Sequence, residues 1–285
     1  MVQRIGVVGA GIMGSGIAQM FAEQGKTVLL WDVNQDQLAR GLAGIRRRLE
    51  RSVEKGHKAP EVVEEVLGRI ARATGPGSFT EAELVIEAIV EDKQVKLQLL
   101  SELSECVGEA AILATNTSSL SIGKLSAAVK NPQRFLGLHF FNPPTKLELV
   151  ELVPTPLTSV DVIAAVIRLL KACGKTPITV KDTPGFIVNR LLLMMINEAA
   201  RMLEEGVATA EDIDTAMRLG ALHPVGPLAL ADLIGLDTCG TILSVLHDKL
   251  GSSSYDPARS LRERVAEGKL GRKTGEGFFT KEAGG

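Results

Sequence analysis

The stretch "RIGVVGAGIMGSGIA", residues 4–18, decides the fold. "RIGVV" reads as a short buried strand, and the residues after Gly11 follow a helical pattern. Gly9, Gly11 and Gly14 stand at the turn between them in G-x-G-x-x-G spacing. That string alone is a weak signal; the strand before it and the helix after it give it meaning. The first glycine makes the tight turn, the second lets the backbone approach a pyrophosphate, and the third lets helix and strand pack closely. The helix N-terminus then offers free N–H groups to the phosphates. Gly9, Gly11, Ile12, Met13 and Gly14 are the expected contacts.

Working outward, the next apolar run, "TVLLWD", ends in Asp32, 18 residues after Gly14. An acid near this spacing bonds the adenosine ribose 2′-OH. It would also repel a 2′-phosphate, and no arginine immediately follows, so the reading favours NAD over NADP. Three more apolar runs, "LVIEAI", "AILATN" and "RFLGLHF", alternate with amphipathic stretches at 34–55 and 92–107. Such alternation predicts an α/β fold: a Rossmann-type, doubly wound parallel sheet covered on both faces. After "GKTPITVKDTPG" strand signals fade, and 186–204, 209–219, 226–249 and 257–267 read as helices. The Asp-Thr-Pro-Gly break places a boundary there. The expected domains are a nucleotide-binding part, 1–182, and an all-helical part, 183–285.

Bulk properties exclude several classes. The 285 residues carry 32 basic and 34 acidic side chains. That balance gives no electrostatic case for nucleic acid. Cys106, Cys173 and Cys239 lie far apart and form no CxxC, as expected of reduced thiols in a cytoplasmic protein. The N-terminus has no signal-peptide pattern. The longest apolar stretch, 185–200, is interrupted by Asn189, Arg190 and Asn197, which argues against a membrane span. No His, Cys and carboxylate group stands at ligand spacing, so no metal is expected.

"GLHFFNPP", residues 137–144, puts His139 at the end of a buried apolar run. Ligands bind beyond the carboxyl ends of strands in open α/β sheets, so a histidine there can move a proton. It needs an orienting partner. In "KLELVELVP", alternation places Glu151 on a face with Leu147, Leu149 and Val153, where a carboxylate needs an imidazolium or its like; Glu148 is the other candidate. "ATNTSSLSI" presents Asn116, Ser118 and Ser119 after a strand, and Asn189 lies on an otherwise apolar helix. The serines and Asn116 could equally cap the next helix, and Asn189 could satisfy backbone groups.

The set "GAGIMGSGIA", "EAIVED", "NTSSL", "GLHFFNPP", "KDTPGFIVNR", "HPVGPLALADLIGLD" and "GRKTGEGFF" resembles the L-3-hydroxyacyl-CoA dehydrogenase family, in order along nearly the whole chain. The resemblance implies that His139 is the acid/base and Glu151 its partner, with Ser118 and Asn189 near the substrate C3 oxygen. It implies cofactor contacts at the glycine loop, Asp32, Glu91, Lys96, Asn116, Ser118, Asn142 and Lys273. Arg48, Arg51 and Lys55 are the expected CoA contacts, although a serine can stand at the position of Arg48, and such a basic run is also a common solvated helix face. A homodimer through the helical domain and an acyl-CoA substrate are implied as well. Two alternatives stay open. One is a sugar-acid or other β-hydroxyacid dehydrogenase without CoA, for which the basic helix 46–55 would have no use. The other is a non-enzymatic NAD-binding protein, which would be expected to lose His139, Glu151, Ser118 or Asn189.

Overall fold

The computed structural model describes residues 2–280. The chain divides into two compact units between Asp182 and Thr183. In the first, β1 (Arg4–Val8), α1 (Ile12–Glu23), β2 (Thr27–Trp31), α2 (Gln35–Glu54), α3 (Glu61–Gly68) and β3 (Ile70–Arg72) come first. Next are β4 (Leu84–Glu87), α4 (Lys93–Cys106), β5 (Ile112–Thr115), α5 (Ile122–Ser126) and β6 (Phe135–Phe140). The unit closes with β7 (Leu149–Pro154), α6 (Val160–Ala172) and β8 (Thr176–Thr179).

The strands form one sheet in the order β3-β2-β1-β4-β5-β6-β7-β8. The chain winds outward from β1 in both directions, so the order reverses between β1 and β4. That is the switch point at which such sheets bind dinucleotides. Every residue of β4, β5 and β6 is buried, as two covered faces require. Pro177 sits in β8, at the sheet edge, where a missing N–H costs no ladder bond.

The expectation of a parallel sheet holds with one exception. β7 runs antiparallel to β6, with His139 opposite Glu151. No helix lies between these two strands, and a parallel return would need a crossover connection.

Helix starts follow local chemistry. Asn34 caps α2 by accepting from the Asp36 and Gln37 amides, Asp92 caps α4 through Val95, and Ser159 caps α6 through Val162. α1 differs: Gly11 stands at its N-cap and no side chain caps it. Gly14, one turn in, is where α1 meets the turn. A Cβ there would lie 1.8 Å from the Gly9 carbonyl oxygen.

The second unit holds α7 (Val188–Glu204), α8 (Ala210–Gly220), α9 (Pro227–Ile234), α10 (Leu236–Leu250) and α11 (Arg259–Ala266). Their core includes Leu193, Ile196, Leu228, Leu243 and Tyr255. The single helix expected over 226–249 is two, bent by 100°. Gly235 breaks it with φ +104°, a conformation that side-chain-bearing residues rarely adopt. Fully buried Asn197 donates to the Ser254 and Asp256 carbonyls and accepts from the Ala258 amide, so it holds the segment before α11. Among the described residues no single helix is long and apolar enough to cross a membrane.

Gly14→Ala is expected to destabilise the first unit by at least about 2 kcal/mol, since backbone, not a flexible side chain, blocks the new methyl. The denaturant midpoint of the variant measures it.

Candidate active site

The carboxyl ends of β1, β2, β4, β5 and β6 gather the sequence candidates of the first unit. At β1 and β2, the Asp32 carboxylate accepts from the Ala10 amide at 2.8 Å and from the Asn34 amide at 2.9 Å. The acid thus ties the glycine turn to the next strand. A Cβ at Gly11 would meet nothing within 4 Å. Open space in front of an uncapped helix N-terminus fits a pyrophosphate, so the turn suits a dinucleotide.

At β4 and β5 lies a polar cluster. Glu91 Oε1 accepts from five donors: the Thr117 hydroxyl at 2.6 Å, the Ser118 amide at 2.8 Å and hydroxyl at 3.1 Å, and the Ser119 amide at 2.9 Å and hydroxyl at 3.1 Å. Burial works to raise the Glu91 pKa, but the Lys96 charge and these hydrogen bonds outweigh it and hold the carboxyl below its ordinary range. Lys96 is fully buried, with Nζ 2.6 Å from Glu87 and 3.5 Å from Glu91. It acts on the site's edge through these acids rather than by presenting its own surface.

At β6, His139 Nδ1 lies 2.7 Å from Glu151 Oε2. Glu151 is fully buried and His139 is 6% exposed. The Nδ1 edge of the imidazole faces the carboxylate, so Glu151 can orient the ring through it. The Phe141 ring leans on the imidazole at 4.4 Å between centroids. Asn116 Oδ1 accepts from the Phe140 amide at 2.9 Å, which joins the loop after β5 to the strand carrying His139. Glu148, the other carboxylate candidate, is exposed. Asn142 is exposed at the end of β6.

The basic candidates separate. Arg48 donates to Gln19 at 2.7 Å and to Ser15 at 3.3 Å on α1. Burial, with Arg47 nearby, lowers its pKa. Arg51 and Lys55 are exposed. Steps of three and four residues put all three on one helix face.

Two candidates belong to the second unit. Asn189 is buried in the first turn of α7. Exposed Lys273 pairs with Asp237 at the start of α10, and its charge and hydrogen bond overcome burial to lower the Asp237 pKa.

The sequence reading missed Glu87. Its Oε2 accepts from the Thr115 hydroxyl at 2.6 Å, directly across the β4–β5 ladder. The signal was available: an acid ending the otherwise apolar strand "LVIE".

The family profile described as "3-hydroxyacyl-CoA dehydrogenase, NAD binding domain" matches residues 4–183, and "3-hydroxyacyl-CoA dehydrogenase, C-terminal domain" matches residues 185–281. The chain belongs to the 3-hydroxyacyl-CoA dehydrogenase family. It is 46% identical over 276 residues to the probable 3-hydroxybutyryl-CoA dehydrogenase of Deinococcus radiodurans, covering 97% of this chain and 99% of that one. It is 44% identical to the mitochondrial hydroxyacyl-coenzyme A dehydrogenase of Homo sapiens, covering 98% and 91%. Among solved structures, (S)-3-hydroxybutyryl-CoA dehydrogenase from Ralstonia eutropha superposes with a TM-score of 0.93 at 44% identity, covering 98% of this chain and 99% of that one. As a member of this family the protein is an NAD-dependent dehydrogenase, and the turn at Gly9–Gly14 lies within its NAD-binding domain.

Gly11→Ala separates cofactor binding from folding. With open space at that Cβ and an ordinary φ of −66°, the variant should keep the parent's melting temperature. Titration with NADH should show at least about tenfold weaker binding, because the methyl stands where the pyrophosphate must approach.

Proposed function

We propose that the protein interconverts (S)-3-hydroxyacyl-CoA, 3-hydroxybutyryl-CoA foremost, and the matching 3-oxoacyl-CoA, with His139 as general base and acid. The observation that carries this reading is the buried His139–Glu151 pair, 2.7 Å apart, at the carboxyl end of β6. NAD, when bound, supplies the hydride acceptor or donor. Gly9, Gly11, Ile12, Met13, Gly14 and Asp32 hold it on one side of the switch point; Glu91, Asn116, Ser118 and Asn142 serve the other, with Lys96 behind Glu91.

His139 Nε2 accepts the C3 hydroxyl proton as hydride leaves C3. General-base catalysis of this kind contributes roughly 10²–10⁴-fold. Glu151 keeps the imidazole in the Nδ1–H tautomer and offsets the imidazolium charge that forms. Ser118 holds the C3 oxygen as it becomes a carbonyl. Asn189 and Lys273, on the second unit, keep the roles that the family resemblance implies. In reverse, His139 returns the proton.

The CoA phosphates are assigned to the basic face of α2, with exposed Arg51 and Lys55 making the contacts and Arg48 fixing that face against α1. A homodimer through the second unit fits its large exposed apolar side chains, Leu191, Leu219 and Leu222. The cytoplasm suits three free cysteines.

The test is loss of NADH absorbance with acetoacetyl-CoA, beside NADPH and beside free acetoacetate. Fast turnover with NADH and the CoA ester alone is expected; equal turnover of free acetoacetate would remove the CoA assignment. His139→Gln should keep NADH binding and lower kcat at least about a hundredfold. Near-normal turnover by that variant would refute the base assignment. Glu151→Gln should lose turnover while Glu148→Gln stays within about threefold of the parent, since only Glu151 is bonded to the imidazole.

A further inference from the structure

Glu87 and Lys96 form an ion pair in which both side chains are fully buried. Glu87 Oε1 takes the Lys96 ammonium at 2.6 Å and the Ile89 amide at 2.8 Å, while Oε2 takes the Thr115 hydroxyl at 2.6 Å. The Lys96 ammonium and the Ile89 amide can only donate to it. Glu91, held ionised, is the second acid on the same ammonium, at 3.5 Å. Two carboxylates share one cation, and the cluster carries one excess negative charge. Glu87 and Lys96 are anchored by β4 and α4, and Glu91 lies on the exposed loop that joins them.

Its place in the sheet gives this charge a use. Asp32 marks the adenosine side at β2, and a dinucleotide crosses the switch point between β1 and β4. The nicotinamide half then falls on the side of β4, β5 and β6, where the cluster lies; this step rests on the placement of NAD proposed above. The oxidised ring is a cation and the reduced ring is neutral. All other parts of the two cofactor forms are alike.

We propose that Glu87 determines the relative affinity of the site for NAD⁺ and NADH, by leaving the Glu87–Lys96–Glu91 cluster with an uncompensated negative charge that favours the cationic ring. Glu87 is a positioning residue in this role, since it holds Lys96 and Thr115 and touches no cofactor. The effect of one charge at the edge of a partly hydrated site is about threefold to tenfold in binding. A residue needed only for folding would weaken both forms alike.

Dissociation constants of NAD⁺ and NADH, measured by isothermal titration on the full chain, test the proposal. Glu87→Gln neutralises the cluster and should raise the NAD⁺ constant about threefold to tenfold relative to that of NADH. The double variant Glu87→Gln with Lys96→Gln restores the single negative charge, on Glu91, and should return the ratio to within about twofold of the parent. Lys96→Gln alone makes the cluster more negative and should move the ratio the opposite way, which keeps the test usable if Glu87→Gln does not fold. Equal changes in both constants, or a ratio that ignores these charges, overturn the proposal. Asp32→Asn is the control for cofactor placement, and it should weaken both forms. If Asp32 matters and the ratio is indifferent to Glu87, the inference alone falls; if neither substitution affects binding, the placement of NAD falls with it.

Discussion

The Glu151 carboxylate and the His139 imidazole are 2.7 Å apart, and both are buried. An unpaired buried carboxylate costs several kcal/mol, and removing one partner of such a pair is more damaging than replacing both. The pair exists because β7 returns antiparallel beside β6 and sets the two residues directly opposite each other. A register slip of one residue in β7 would turn Glu151 to the other face of the sheet, away from His139. The departure from a parallel sheet is therefore what creates the acid–base pair, and the Asn142–Pro143–Pro144 turn is the start of that return.

A second buried ionic group lies along the same edge. Lys96 reaches from α4 to two acids at the end of β4, and Glu91 gathers the Thr117–Ser119 loop with hydrogen bonds to its one oxygen. Asn116 then links that loop to Phe140, next to His139. The bonds of Lys96, Thr115, Thr117, Asn116 and His139 at these strand ends are buried or partly buried, while those of Ser118 and Ser119 to Glu91 are exposed. The buried bonds are costly to break, and they fix positions more closely than apolar packing does.

Much of the fold was legible because it is written in short-range signals. The glycine turn and the helical stretches that begin at 34 and 92 depend on neighbours in sequence. His139 was legible because an imidazole in an apolar strand is out of pattern, and Glu151 because it interrupts an apolar alternation. The elements that escaped are those with little local content. β3 has three residues, too few for a period to appear, and α3 has eight. The break at Gly235 hides in an apolar stretch whose composition suits one long helix; only the backbone angle reveals it. Glu87 stands out in the sequence as an acid ending an apolar strand, but its role does not. Its meaning depends on Thr115 and Lys96, which no spacing rule joins to it, and on its complete burial.

The two ionic groups acquire a joint meaning once the charge movement of a dehydrogenase is followed. In the proposed reaction, hydride leaving the alcohol removes the cofactor's positive charge, and the proton leaving gives one to His139. Net positive charge thus moves from the cofactor side of the site to the β6 end. Glu151 sits where the charge arrives and favours the oxidised substrate. On the same proposal, the excess negative charge of the Glu87–Lys96–Glu91 cluster sits where the charge departs and favours the alcohol. Each acid alone would tilt the bound equilibrium toward its own side. Together they oppose one another, so the two bound states are kept closer in free energy than either acid would allow. Such opposition would keep either bound state from becoming a thermodynamic sink, whichever direction the reaction runs. The sheet brings Glu87, at the end of β4, and His139, near the end of β6, to one carboxyl edge because its strands lie in fixed order.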